Sequence, residues 1–324
     1  MTLRLSQTDT EDDVTLETLT IGVLMGGCSR EREVSLLSGR AVAEALRERG
    51  HDVHPADVQP GDVTEGLVSG LDAVFLALHG GWGEGGGIQR ELEGLGACYT
   101  FSGPEASRLA MDKVASKRRF SGAGVPTPAF RVAAPGDDAT LAEAVERLGP
   151  DLVVKPVADG SSIDVFMVDS PSSLREAAGR VWTRGEPALV ERRIRGREFT
   201  VGILGDAVLP TVEIRVPGGW YDYHFKYEAD TTQYVFDHGL PAEAEDRLVE
   251  VAMAAHRALG CRDLSRVDAI LPPEGEPQVL EVNTIPGFTS HSLVPKAAAR
   301  AGLSFGRLCE RIVAMARRRA ASGG

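Results

Sequence analysis

The feature that most restricts the fold of this chain is a repeated order of strand, glycine loop and helix near its N-terminus. Apolar runs at residues 20–25 and 72–78 each end in glycines, and a further strand is expected at residues 52–58. Strands joined by helices in this order form a parallel sheet with helices outside it. Such sheets bind ligands at the carboxyl ends of their strands. The sequence therefore predicts an α/β fold with a ligand site near the two glycine loops.

The length of 324 residues suits two or three compact domains. We predict a frayed or disordered acidic extension at residues 1–19 and a parallel α/β domain at residues 20–103. A central domain at residues 104–195 opens with one helix at residues 106–121, and an α+β domain follows at residues 196–324.

Charge and hydropathy argue against several classes of partner. The net charge of -12 and the pI near 5.1 oppose binding to nucleic acid or to an anionic membrane. No apolar run approaches the roughly 20 residues of a membrane helix, and residues 1–19 lack an apolar signal core. These features predict a cytoplasmic protein. The cysteines show no paired spacing, which favours buried free thiols; they are Cys28, Cys98, Cys261 and Cys309.

Two short runs near the C-terminus predict a β-hairpin. Residues 266–271 and 278–283 flank a turn that is rich in proline and glycine. Successive side chains of a strand point to opposite faces. Alternation assigns to the core Val267, Ala269, Leu271, Leu280 and Val282.

The other face of this hairpin is a candidate metal site. A symmetric turn places Asp268 opposite Glu281, and Arg266 opposite Asn283. Two carboxylates and an amide offer the hard oxygen ligands that Mg²⁺ takes together with substrate phosphates, and two such ions would clamp a transferring phosphoryl group. A solvated cross-strand ladder, in which Arg266 neutralises Glu281, is an equal alternative from these residues alone.

Single residues elsewhere carry weaker signals. Lys155 ends a predicted strand and precedes Gly160-Ser161-Ser162, an order that suits phosphate binding. Taken alone, it is equally a surface lysine beside a turn. Surface exposure for Lys113, helix capping for Glu31 and a structural role for His79 are likewise the simpler interpretations of those residues.

These segments occur together in the order of a known family. They resemble the D-alanine–D-alanine ligases of the ATP-grasp superfamily, over about residues 21–312. The matching segments are GGCSREREVSL (26–36), ALHG (77–80), MDK (111–113), KP (155–156), GSS (160–162), EFTV (198–201), YDY (221–223), KY (226–227), TQY (232–234) and EVNTIPGFTSHSL (281–293). The resemblance implies an ATP-grasp architecture, in which two domains sandwich ATP beside the N-terminal α/β domain.

The resemblance also implies an activity. ATP, as a substrate, would phosphorylate one D-alanine, and the amine of a second would attack the acyl-phosphate to form D-alanyl-D-alanine for peptidoglycan synthesis. Two Mg²⁺ ions, with Mn²⁺ as a possible substitute, and a cytoplasmic homodimer belong to the same expectation. The alternatives are a paralogue that joins other amino acids and an ATP-binding homologue with weak or no catalysis.

The resemblance implies which residues bind the two substrate amino acids. Glu31 would bind the first amino group with His79 nearby, and would form a hydrogen-bonded triad with Ser161 and Tyr227. Arg266 and the Gly287 backbone N–H would hold the oxyanion. The second amino acid would meet Lys226, Ser292 and Leu293.

The resemblance likewise assigns the ATP and metal ligands. Lys113 and Lys155 would contact the phosphates, and Glu191 and Glu198 the adenine and ribose. The ATP set is completed by Ser161, Ser162 and Asn283, and the magnesium set is Asp268, Glu281 and Asn283.

The chain departs from the family pattern at four places. Asp164 and Gly85 stand where the family usually has glycine and aspartate, respectively. Arg192-Arg193 replace an aromatic hinge, and Asp237-His238 replace proline-alanine. A carboxylate at position 164 would repel a triphosphate unless it is solvated or paired.

Overall fold

The computed structural model describes residues 3–4, 17–158, 164–216, 232–289 and 292–322. The strands are β1 (Leu3–Arg4), β2 (Thr20–Gly26), β3 (Asp52–Val58), β4 (Ala73–Leu76), β5 (Phe130–Ala133), β6 (Leu152–Pro156), β7 (Phe166–Val168), β8 (Ala188–Arg192), β9 (Arg197–Leu204), β10 (Ala207–Val208), β11 (Val212–Arg215), β12 (Gln233–Val235), β13 (Leu264–Leu271) and β14 (Gln278–Asn283). The described helices are α1 (Arg32–Glu48), α2 (Glu65–Val68), α3 (Gly81–Glu84), α4 (Gly87–Gly94), α5 (Pro104–Met111), α6 (Lys113–Gly122), α7 (Asp138–Leu148), α8 (Pro171–Trp182), α9 (Ala242–Leu259), α10 (Leu293–Arg300) and α11 (Phe305–Ala321).

The N-terminal sheet is parallel, as the strand–loop–helix order predicts. Its strand order is β3-β2-β4, and β2 pairs in parallel with both neighbours. The side chains of β4 are buried throughout, because helices cover both faces of such a sheet. The carboxyl ends of β2 and β4 therefore lie side by side, and both loops that follow them contain glycine.

The central sheet has the order β5-β8-β6-β7 and is antiparallel. It has its own apolar core, in which α7 and α8 pack against it. Helices α5 and α6, in contrast, contribute Leu109 and Phe120 to the core beneath the large C-terminal sheet. The proposed domain boundaries at residues 103/104 and 195/196 remain predictions.

Within the described residues, the large sheet contains seven strands, with β9 paired to β13 along its whole length. Hairpin β13–β14 has the predicted register, with Asp268 opposite Glu281 and Arg266 opposite Asn283. A bulge after Asp268 then shifts the pairing, so that Ala269 faces Val279. Leu280 was wrongly predicted to lie in the core, because this extra residue turns it toward a cleft while Val279 is fully buried.

The helix predicted at residues 106–121 is two helices, α5 and α6. Asp112 between them is extended, with φ -85° and ψ 99°. Its carboxylate accepts a hydrogen bond from the backbone N–H of Ala115 at 2.9 Å, which is a normal N-terminal cap. The break makes Lys113 the first residue of a new helix.

One apolar core joins the N-terminal sheet to the last helices. Phe75 lies between Phe101 and Phe288, with ring centroids at 5.3 and 5.7 Å. The same core includes residues of α10 and α11. The N-terminal sheet and the last two helices therefore share one apolar core.

Three sequence expectations concern the ends of the chain and its surface. Most of the extension at residues 1–19 lies outside the described residues, but β1 pairs in parallel with β10. All four cysteines are free; Cys309 is buried, whereas Cys28 is exposed, which corrects the expectation of burial. Across the described part of the chain, every helix is too short or too polar to span a lipid bilayer.

Candidate active site

Glu31 lies where the loop after β2 meets the loop after β4. It precedes α1, and its backbone N–H donates to Ser29 Oγ at 3.1 Å. A Cβ atom on Gly80 would lie 2.7 Å from Glu31 Oε2, and Gly80 has a φ of +66°. Glycine is therefore required at position 80 for the Glu31 carboxylate to occupy this place.

His79 joins this loop to the C-terminal domain. Its Nδ1 lies 3.1 Å from the carbonyl oxygen of Ile285, which can only accept, so Nδ1 carries a proton. Nε2 then accepts from the Ser38 hydroxyl at 3.1 Å. Burial lowers the pKa of His79, although the Glu31 carboxylate opposes this effect. His79 is thus neutral and fully hydrogen-bonded, and it holds the Ile285 segment beside Glu31.

Glu84 is a site residue that the sequence analysis missed. Its Oε2 accepts from the backbone N–H of Gly80 at 3.2 Å. Burial, followed by the nearby Glu31 carboxylate, raises the pKa of Glu84 to about 8. A glutamate inside the glycine-rich stretch GWGEGGG was the signal that could have identified it.

The hairpin face carries a tight cluster around Asp268. Arg266 donates Nε to Oδ1 at 2.9 Å and Nη2 to Oδ2 at 2.7 Å. Thr200 Oγ1 donates to Oδ1 at 2.6 Å, and Asn283 Nδ2 lies 3.2 Å from Oδ2. The Arg266 guanidinium is thus bound to the Asp268 carboxylate in a bidentate manner.

The residues of this face that could hold a hard cation are Asp268, Glu281 and Asn283. Groups of three or more His, Cys, Asp or Glu side chains that could share a metal are absent from the described residues, so the candidate set depends on the amide of Asn283. The amide of Asn283 can be turned so that its oxygen, which is the metal-binding atom, takes the place of its nitrogen. The ammonium of Lys113 lies 4.0 Å from Glu281 Oε2 and adds positive charge beside these carboxylates.

A buried group of two lysines and one glutamate lies behind the hairpin. Lys155 Nζ is 2.9 Å from Glu191 Oε2, and Lys117 Nζ is 2.9 Å from Glu191 Oε1. Burial opposes ionisation of Glu191, but the two ammonium groups outweigh it and lower the pKa of this carboxyl. Lys117 was missed by the sequence analysis, although its position one turn after Lys113 on α6 was a usable signal.

A cavity of about 470 Å³ separates the central sheet from the large sheet. Its lining includes Lys155, Glu191 and Glu198, three of the residues predicted to bind ATP. Arg192 and Arg193 also line it, but they are tied back to the central domain: Arg192 Nε donates to the Leu148 carbonyl at 3.2 Å, and Arg193 lies 3.5 Å from Asp151. The cavity has the size of a small-ligand site.

The segment after β14 lies beside the loop that carries His79. A Cβ atom on Gly287 would lie 3.2 Å from Ser292 Oγ, which accepts from the Thr289 backbone N–H at 3.0 Å. Leu293 is buried and packs in the N-terminal core. The remaining predicted residues lie outside the described part of the chain, namely Ser161, Ser162, Lys226 and Tyr227.

Two departures from the family pattern have local explanations. Asp164 has a φ of +55°, a region that favours glycine. Its carboxylate forms an ion pair with Arg184 at 3.0 Å. The negative charge of Asp164 is therefore compensated, which reduces its repulsion of a triphosphate. A Cβ atom on Gly85 would lie 2.6 Å from the Gly81 carbonyl oxygen, so a side chain there would require a different turn.

Comparison with known proteins decides the family. The family model described as D-ala D-ala ligase C-terminus matches residues 120–314. A D-alanine–D-alanine ligase of Bordetella avium (strain 197N) is 44% identical over 298 residues, which are 91% of this chain and 93% of that relative. The chain belongs to the D-alanine–D-alanine ligase family. The family predicted from the motifs is therefore confirmed.

Solved structures of this ligase family show the same fold. The D-alanine–D-alanine ligase from Bacillus anthracis complexed with ATP has a TM-score of 0.82 at 31% identity, covering 95% of this chain and 100% of that chain. The VanG D-Ala:D-Ser ligase from Enterococcus faecalis has a TM-score of 0.81 at 30% identity, covering 93% and 100%. The α/β, ATP-grasp fold class is confirmed.

Proposed function

We propose that the chain is an ATP-dependent D-alanine–D-alanine ligase that works through an acyl-phosphate and supplies peptidoglycan synthesis. The observation that carries this proposal is the hairpin face, where Asp268 and Glu281 are opposite each other beside Lys113. Carboxylates and lysines in this arrangement suit phosphoryl transfer, which depends on positioning and on neutralising charge. Similarity to ligases over most of the chain supports the same activity.

In the proposed reaction, each group of site residues acts at a different step. Glu31 binds the ammonium group of the first D-alanine, and the ATP γ-phosphate passes to the carboxylate of that amino acid while ADP leaves. The neutral amine of the second D-alanine then attacks the acyl carbon, and phosphate leaves with one proton of that amine as the peptide bond forms. Arg266, held in place by Asp268, and the Gly287 N–H stabilise the oxyanion.

The nucleotide lies in the cavity between the two sheets in this proposal. Lys113 and Lys155 bind its phosphates, and Glu191 and Glu198 lie along the cavity wall. Mg²⁺ held by Asp268, Glu281 and Asn283 would neutralise the transferring phosphoryl group, and Mn²⁺ would serve in its place. The proposal includes a cytoplasmic homodimer, for which sedimentation at equilibrium is the test.

The metal assignment predicts that Glu281→Gln abolishes phosphate release from ATP while the circular dichroism spectrum is unchanged. Binding of Mn²⁺ in the presence of ATP, measured by electron paramagnetic resonance, should weaken in the same variant. Glu276→Gln is the matched control, because Glu276 lies in the turn of the same hairpin and pairs with Arg247 on the surface. Normal turnover in Glu281→Gln at saturating Mg²⁺ would rule out this metal site.

A ligase that uses another second amino acid is the alternative, because the D-Ala:D-Ser ligase superposes as well as the D-Ala–D-Ala enzyme does. An equimolar mixture of D-alanine and D-serine distinguishes the two. The proposal requires D-alanyl-D-alanine as the main product by mass, whereas D-alanyl-D-serine as the main product would establish the alternative.

A further inference from the structure

Lys117 is a fully buried cation directly behind the nucleotide cavity. Its side chain is 0% exposed. Its ammonium group lies 2.7 Å from Thr127 Oγ1, 3.2 Å from the Pro128 carbonyl oxygen and 2.9 Å from Glu191 Oε1. The ammonium group donates hydrogen bonds to Thr127 and Pro128, and its contact with Glu191 is an ion pair. Lys117 is therefore held by groups of the protein.

Lys155 is placed differently. It lies on β6, lines the cavity and meets the other oxygen of the same carboxylate, Glu191 Oε2, at 2.9 Å. A lysine that binds a nucleotide phosphate has to share or give up its bond to this carboxylate. Glu191 is itself buried, with a side chain only 3% exposed. A buried carboxylate that loses its counter-ion is strongly destabilised.

The second lysine removes this conflict. We propose that Lys117 is a positioning residue that keeps Glu191 ionised and fixed in place, so that Lys155 is free to bind the phosphates of a nucleotide in the cavity. The buried group carries one net positive charge with Lys117 present, and none without it. In the absence of Lys117, Glu191 competes with the nucleotide for Lys155. This inference rests on the proposed function only in that a nucleotide occupies this cavity.

A purely structural role for Lys117 is the competing explanation. Its partner Thr127 donates Oγ1–H to the Val279 carbonyl oxygen of β14 at 2.8 Å, and the Val279 N–H donates to Pro126 at 2.9 Å. These bonds join the central domain to the large sheet. A loss of nucleotide affinity could then come from a loosened junction rather than from the charge on Lys117.

Equilibrium binding of ATP with Mg²⁺, measured by calorimetry on the full chain, separates the two roles. Lys117→Met keeps the length of the side chain and removes its charge, and should weaken ATP binding by about tenfold or more. Thr127→Val breaks the junction to Val279 and removes one hydrogen bond of Lys117, but it keeps the charges of both lysines and of Glu191, and should bind ATP normally. Equal weakening in the two variants, or normal binding in Lys117→Met, would overturn the proposal.

A double-substitution cycle shows whether Lys117 acts through Glu191. The effect of Lys117→Met on ATP affinity should disappear in a Glu191→Gln background, because the competing carboxylate is then gone. Additive losses would contradict the proposal. Since binding is measured without D-alanine, failure of the proposed ligase reaction and failure of this inference give different results.

The unsubstituted protein provides a second measurement if Lys117→Met does not fold. Burial, opposed by Glu191 and assisted by Lys155, lowers the pKa of Lys117 to about 8. ATP affinity should therefore fall as pH rises through about 8, with Glu191 and Lys155 as the other titratable groups that face Lys117. An affinity that is constant from pH 7 to pH 9 would count against the proposal.

Discussion

At the scale of single residues, most of the described candidate positions follow from motifs, but their partners do not. Glu31 and His79 were identified from short segments of sequence. That both ring nitrogens of His79 are occupied, by Ser38 and Ile285, depends on contacts between distant segments. Glu84 and Lys117 were missed for the same reason. Burial and neighbouring charges mark them as candidate functional residues, and these two properties cannot be read from a short segment of sequence.

Glu84 predicts how stability changes with pH. Its pKa of about 8 in the folded protein is above the ordinary value of 4.5, so the folded state binds more protons between these values. The contribution of Glu84 to the free energy of unfolding is therefore present at low pH and is lost as pH rises through about 8. Urea unfolding at pH 6 and pH 9 should show a smaller decrease for Glu84→Gln than for the unsubstituted protein. Parallel pH profiles would refute this assignment.

Asp164 predicts a difference between two substitutions. Asp164→Ala and Asp164→Gly both remove the ion pair with Arg184, but only alanine keeps a Cβ atom at a φ of +55°. Asp164→Gly should be more stable than Asp164→Ala by about 1 kcal/mol in urea unfolding. Equal stability of the two variants would show that the backbone at this position is not strained.

At the scale of elements, the alternation of side chains was sufficient to predict the register of hairpin β13–β14. It could not predict the bulge after Asp268. The bulge leaves the pairing of Asp268 with Glu281 as expected and changes only the pairing of the residues on the turn side of that pair. The break between α5 and α6 was also missed, since no glycine or proline marks it in the sequence. The preference of aspartate for helix N-termini was the available signal.

The cap at Asp112 predicts a link between a helix start and nucleotide binding. Asp112→Ala should lower the free energy of unfolding by about 1 kcal/mol and raise the KM for ATP, because Lys113 is the first residue of the helix that the cap fixes. Ser304→Ala is the control, since Ser304 caps α11 in the same way. A raised KM in both variants, or in neither, would contradict the role given to this cap.

At the scale of the whole molecule, the candidate site forms where the N-terminal sheet packs against the segments that follow β14. Arg319 of α11 donates to Asp263 and to the carbonyl oxygen of Tyr99, which ties this helix to the N-terminal part of the chain. Such contacts depend on how distant segments of the chain are placed. The motifs therefore predicted the family and the ligands of the hairpin, but not the hydrogen bonds and ion pairs that hold those segments together.

The central claim is that this assembled site joins two D-alanines. The most direct test is phosphate release from ATP and Mg²⁺ by the purified protein with D-alanine as the only amino acid, with the product identified by mass. The ligase account predicts D-alanine-dependent release and one D-alanyl-D-alanine formed for each phosphate. A folded protein that binds ATP but releases no phosphate with D-alanine, or that forms no dipeptide, would contradict it.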